Sequence, residues 1–203
     1  MISLKDLSNV TMFVGLPGSG KTSIAASISY MCQKKNIPVW SNVPILGDKI
    51  YSWKTHFGKF DMSNGVIILD EAGLDVDNRS WEKNFDKDKV QFLKLVRHYS
   101  TKLVVFSQTW NDCDIKIRSM VGKLFICRQS LIPFVTVAIP VWRKIDVDEE
   151  THEFKEIYDK DGFIFRLFTC RRIFRPKYYK MFDSWDCPKL AGYPFKIYGE
   201  EDK

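Results

Sequence analysis

Gly15, Gly20, Lys21 and Thr22 stand in the spacing G-x-x-x-x-G-K-T, the pattern of a loop that cradles phosphates. The whole candidate binding segment is Gly15-Leu16-Pro17-Gly18-Ser19-Gly20-Lys21-Thr22-Ser23. Gly15, Gly18 and Gly20 allow backbone dihedrals and close approaches that a Cβ would forbid. The loop N–H groups can then converge on phosphate oxygens, aided by the positive end of the following helix. Lys21 is expected to place its ammonium on the β- and γ-phosphates and Thr22 to ligate Mg²⁺ through its hydroxyl. A second cluster of chemistry is Asp70-Glu71, directly after the aliphatic run Val66-Ile-Ile-Leu69. Asp70 suits the carboxylate that holds Mg²⁺, and Glu71 the base that polarises an attacking water. Gln108, which closes another apolar run, suits a γ-phosphate sensor or an ordinary strand cap.

These residues need elements to hold them. Val10–Val14 has strand composition, and residues 23–35 carry apolar positions at Ile24, Ile28 and Met31 in helical spacing. Strand, glycine loop and helix thus occur in the order a phosphate-binding loop requires. Residues 37–41, 66–69, 102–108 and 122–128 read as further buried strands. Residues 90–98 read as a helix with a Phe92, Leu93, Val96 stripe, and 114–120 as a short helix. The alternation predicts a three-layer α/β P-loop NTPase core over residues 1–130, with a mostly parallel sheet.

Beyond 130 the period shifts toward two. Residues 134–139, 141–147 and 163–168 are expected as antiparallel strands of a β-rich C-terminal extension, 131–203. Within it, residues 171–180 interleave Arg and Lys with Phe and Tyr, which suits single-stranded nucleic acid or a solvated basic face. Residues 48–62 mix aromatics with lysines, for base stacking or for packing on the sheet. Residues 72–88 are expected as a mobile loop.

The 203 residues are 45% hydrophobic and 28% charged, which excludes disorder as the default. A net charge of +6 permits nucleic-acid contact without demanding it. Five cysteines form no C-x-x-C pair, which points to reduced thiols in a cytosol rather than to a zinc site or a disulfide frame. The longest apolar stretch, 131–142, holds Pro133 and Pro140 and falls short of the roughly 20 residues a spanning helix needs. The N-terminus has no signal-peptide apolar core, and the expected location is the host cytoplasm.

Taken together, Gly15–Thr22, Ile68-Leu-Asp-Glu-Ala72, Arg97-His98, Ser107-Gln108, Arg118 and Tyr178-Tyr-Lys-Met-Phe-Asp-Ser184 resemble the zonular occludens toxin (Zot) family. These are the assembly ATPases of filamentous phages, near the FtsK/HerA-type DNA translocases. The resemblance spans roughly residues 10–184 and implies an ATP- and Mg²⁺-dependent motor, with Lys21, Thr22, Asp70, Glu71 and Gln108 as its machinery. It implies a homo-oligomeric ring, a hexamer among the relatives, in which Arg97 or Arg118 acts in trans. A structural salt bridge is an equal role for either arginine. Phage DNA and coat or membrane-assembly proteins are the implied partners. Family members commonly carry a transmembrane helix after the ATPase domain, and no such segment stands before Lys203. A partner-mediated peripheral position at the inner membrane, or work on DNA in the cytoplasm, is expected instead.

The expected function is an ATP-hydrolysing motor of a phage or mobile element, driving virion assembly with DNA export or packaging. Two other readings remain open. One is a nucleoside or nucleotide kinase, and the other a nucleotide-binding interaction protein without turnover.

Overall fold

The aliphatic runs become strands of one sheet. The computed structural model describes residues 2–72, 87–147, 154–160 and 169–183. In chain order these form β1 (Val10–Val14), α1 (Lys21–Gln33), β2 (Val39–Ser41), β3 (Lys49–Ile50), β4 (Val66–Leu69) and α2 (Lys87–Leu95). They continue with β5 (Lys102–Ser107), α3 (Ile115–Met120), β6 (Lys123–Gln129), β7 (Val135–Val147), β8 (Phe154–Lys160) and β9 (Arg171–Phe174). Short 3-10 helices lie at Leu4–Asp6 and Arg175–Met181.

The strand order is β3-β2-β4-β5-β1-β6-β7-β8, with β9 also on β7. Neighbours from β3 to β6 are parallel, whereas β7 runs antiparallel to β6, β8 and β9. This is the expected α/β architecture, a mostly parallel sheet with antiparallel C-terminal strands. Successive residues of the central strands point to opposite faces, and both faces are buried. Val10, Met12, Ile67, Leu69, Leu103 and Val105 pack on one face with Phe92, Leu93 and Val96 of the α2 region. Phe13, Ile68, Val104, Phe106 and Phe125 pack on the other face with Ile24 and Ile28 of α1. Phe13 stacks between Phe106 and Phe125, with ring centroids 5.1 and 4.8 Å away. Such stacked rings add to the area they bury.

Several elements differ from the reading of the sequence. Residues 134–139 and 141–147 are not two strands but the single strand β7, because β6 pairs straight through Pro140, which sits opposite Phe125. On the opposite edge of β7, Pro140 falls between Ala138, paired to β9, and Val141, paired to β8. The missing N–H therefore interrupts no ladder on that side. Strand β8 was not foreseen; its sequence, Phe-Lys-Glu-Ile-Tyr-Asp-Lys, is charged as an edge strand is. Helix α2 begins and ends about one turn earlier than its apolar stripe suggested.

Three of the four aromatics of 48–62, Tyr51, Trp53 and Phe57, pack into the core, and Phe60 is exposed. Trp53 and Phe57 are fully buried and stacked at 4.1 Å, with Phe57 edge-on to Phe92 at 5.0 Å. The expected mobile loop, save for its ends, and the strand at 163–168 lie outside the described residues. Among the described residues no helix is long and apolar enough to cross a membrane.

Candidate functional site

The chain leaves β1 at Val14 into a loop whose backbone the strands hold in place. A Cβ on Gly15 would stand 2.7 Å from the Cys127 carbonyl oxygen of β6, so only glycine lets the strand pass there. Gly18 and Gly20 have φ of 75° and 92°, in the left-handed region. Gly20 is the residue before the first turn of α1, and no side chain caps that helix. Its first N–H groups are therefore available to an anion. Two side chains from the β6–β7 hairpin pin the loop from behind. Gln129 Nε2 donates to the Gly18 carbonyl at 2.9 Å, and Thr136 Oγ1 donates to the Ser19 carbonyl at 3.0 Å.

Lys21 is buried and its ammonium lies on the loop itself, donating to the carbonyls of Gly15 at 2.7 Å and Leu16 at 3.2 Å. One residue on, the Thr22 hydroxyl donates to Asp70 Oδ2 at 3.1 Å. This contact joins the two sequence signals across an intervening strand, since β5 lies between β1 and β4. Asp70 is 4% exposed, and burial raises its pKa against the opposing hydrogen bonds from the Glu71 N–H and Thr22. The Glu71 N–H donates to Asp70 Oδ1 at 3.0 Å, and Glu71 itself has φ of 49°. That left-handed turn carries Glu71 to the exposed side of the cleft. Gln108, at the end of β5, lines the same cleft.

The cleft has a volume of about 890 Å³ and runs from Pro17 and Gly18 over Lys21, Thr22 and Ser23 to Asp70, Glu71 and Gln108. Asp70 makes no ion pair among the described residues. A buried carboxylate and a hydroxyl, both hard oxygen donors, fit Mg²⁺. No three His, Cys, Asp or Glu side chains converge among the described residues. The pair therefore suits an ion that shares its coordination with phosphate oxygens and water rather than a closed protein cage.

The structure thus brings Gly15 to Ser23, Asp70, Glu71 and Gln108 together. It does not bring Arg97 or Arg118 to the cleft. Arg97 is exposed in the turn before β5, at the end of the parallel strands opposite the glycine loop. Arg118 donates to Asn111 Oδ1 at 3.3 Å and lies over the Trp110 ring at 5.8 Å.

Reading the sequence missed two groups. Asn42, just after β2, accepts from the Asp70 N–H at 2.7 Å and donates to the Asp70 carbonyl at 2.9 Å, which fixes the backbone there. Arg175, Tyr179, Phe182 and Asp183, from the C-terminal 3-10 helix and its exit, form the remaining wall. Their basic-aromatic stretch was visible, but nothing local says that it folds back onto α1.

The family model for zonular occludens toxin (Zot) matches residues 44–132. The matched region is less than half of the chain. That region contains Asp70, Glu71, Gln108, Arg97 and Arg118, and it begins beyond the glycine loop. The N-terminal domain of zonular occludens toxin from Neisseria meningitidis superposes with a TM-score of 0.56 at 16% identity, covering 87% of this chain and 100% of that one. The likeness shows a shared fold. The genome-packaging NTPase B204 of Sulfolobus turreted icosahedral virus 2, solved with ATP-gammaS, aligns at a TM-score of 0.44 and 11% identity, covering 76% of this chain and 98% of that one. No curated protein matches the chain.

Proposed function

We propose that this chain is a Mg²⁺-dependent ATPase that serves as the motor of a phage or mobile element, driving virion assembly with export or packaging of DNA. The observation that carries the reading is the Thr22–Asp70 hydrogen bond at the floor of an open cleft, with Glu71 and Gln108 on its rim. On nucleotide binding, Lys21 exchanges its two loop carbonyls for phosphate oxygens, and the N–H groups of residues 18–23 receive the rest of the charge. Thr22 and Asp70 would hold Mg²⁺, which would supply positive charge to the phosphates. Glu71, exposed next to that pair, accepts the proton of the attacking water, and Gln108 orients that water. A buried Asp with an exposed Glu beside it separates metal binding from base chemistry, the division a hydrolase needs. The similarity to a zonular occludens toxin domain supports the phage-assembly role, with coat or membrane-assembly proteins and phage DNA as partners in the host cytoplasm.

The test is steady-state ATP turnover with and without single- and double-stranded DNA. Turnover stimulated by DNA, absent in Lys21→Ala and reduced about a hundredfold or more in Glu71→Gln, is the expected result. ATP binding with no turnover under any of these conditions overturns the motor reading for this chain.

A further inference from the structure

The C-terminal segment Arg171–Asp183 crosses back over α1 and is fastened at several points. The Arg175 N–H donates to the Phe134 carbonyl at 2.9 Å, and the Leu46 N–H donates to the Met181 carbonyl at 2.7 Å. Between these ties Tyr178 is buried, edge-on to Tyr30 of α1 at 6.0 Å, and Lys177 lies over the Tyr30 ring at 5.3 Å. So anchored, the 3-10 helix turns other side chains toward the phosphate loop. Tyr179 lies within the helix, and Phe182 stands just past its end, where the backbone turns extended. Both line the cleft.

Arg175 is closer still to the loop. Its Cδ lies 3.2 Å from where a Cβ on Gly20 would be, and its Nε is buried without a hydrogen-bond partner. A guanidinium nitrogen taken out of water with nothing to donate to is expensive to keep, unless a ligand completes it.

We propose that this C-terminal strap forms the nucleoside end of the nucleotide site in cis: Tyr179 and Phe182 offer aromatic faces to the base, and Arg175 donates to a phosphate beside Gly20. This rests on the reading of the cleft as an ATP site. The arrangement recognises a base by its π-face rather than by a pattern of hydrogen bonds, so it tolerates different bases. The basic-aromatic stretch is thus a nucleotide wall rather than a groove for nucleic acid.

The experiment is calorimetric titration of the full chain with Mg²⁺-ATP and, separately, with inorganic tripolyphosphate, which lacks the nucleoside. Tyr179→Ala is expected to weaken ATP about tenfold while leaving tripolyphosphate unchanged, and Tyr179→Phe to restore ATP. Arg175→Ala is expected to weaken both ligands alike, by about tenfold or more. Tyr179 is 44% exposed, so its truncation leaves little cavity, and an unchanged melting temperature without ligand certifies the fold. Wild-type ATP binding left intact by Tyr179→Ala and Arg175→Ala overturns the strap's role while the ATP site stands. So does an equal loss of both ligands in Tyr179→Ala. A wild-type chain that binds neither ligand overturns the ATP reading itself, and the strap's role with it.

Discussion

Asp70 works only if its carboxylate is aimed at Thr22, and the pair of hydrogen bonds exchanged between the Asn42 amide and the Asp70 backbone does the aiming. Asn42 is not among the residues that line the cleft; it is a positioning residue. Asn42→Ala leaves the Asp70 N–H and carbonyl without these partners, so a loss of about 1–2 kcal/mol in stability is expected by urea denaturation. Turnover should fall while ATP affinity stays close to wild type, since the glycine loop and Lys21 are untouched. A merely structural role would lower stability and leave the turnover of the folded fraction unchanged. At this scale the sequence was legible where partners are neighbours in the chain. Gly15 to Thr22 form one loop, and Asp70 and Glu71 follow one strand. Asn42 was invisible because its partner is 28 residues away and is met only when β2 pairs with β4, Ser41 beside Ile68.

Apart from β3, whose two residues are exposed and carry no apolar run, the sheet was legible up to β6, because the central parallel strands are buried on both faces and so read as unbroken apolar runs. The C-terminal strands were harder. β7 owes its continuity to partners on both edges, which no local pattern reveals, and β8 has the polar composition of an edge. The same strands return to the N-terminus through Asp6, which joins the first 3-10 helix to β9. Burial works against the Asp6 charge. It is outweighed by the Arg171 guanidinium at 2.7 Å and by the Ser3 N–H and hydroxyl at 2.7 and 2.8 Å, and the pKa is held down to about 2 from 3.8. A carboxylate whose pKa is depressed in the folded state stabilises above its unfolded value. That contribution should therefore be full at neutral pH and fade as pH falls from about 4 to about 2. With both groups partly in water, about 1 kcal/mol is expected. Asp6→Asn should lose that amount at neutral pH and converge with wild type at the acid end, as followed by urea denaturation across pH. A constant difference at all pH values would show that packing, not charge, holds this clamp.

At the scale of the whole molecule, the cleft contains a lysine, a carboxylate pair and an arginine, yet neither Arg97 nor Arg118 reaches it in the same chain. If either contacts a nucleotide it must do so on a neighbouring copy, as in the ring that the family resemblance implies. Mixing two inactive variants separates the cases. A Glu71→Gln copy keeps its arginines but cannot activate water, and an Arg118→Ala copy keeps Glu71 but cannot serve its neighbour. In a ring with Arg118 acting in trans, the Arg118→Ala copy supplies Glu71 and receives Arg118 from the Glu71→Gln copy beside it. The mixture should then regain a measurable fraction of wild-type turnover, although each variant alone is inactive. With Arg118 confined to its contacts with Asn111 and Trp110, Arg118→Ala alone stays active and the mixture gains nothing. The same mixture with Arg97→Ala assigns the role to one arginine or the other. Failure of both pairs to complement, with both arginine variants inactive alone, would place the arginines' effect within their own chain and remove the reason for a shared site.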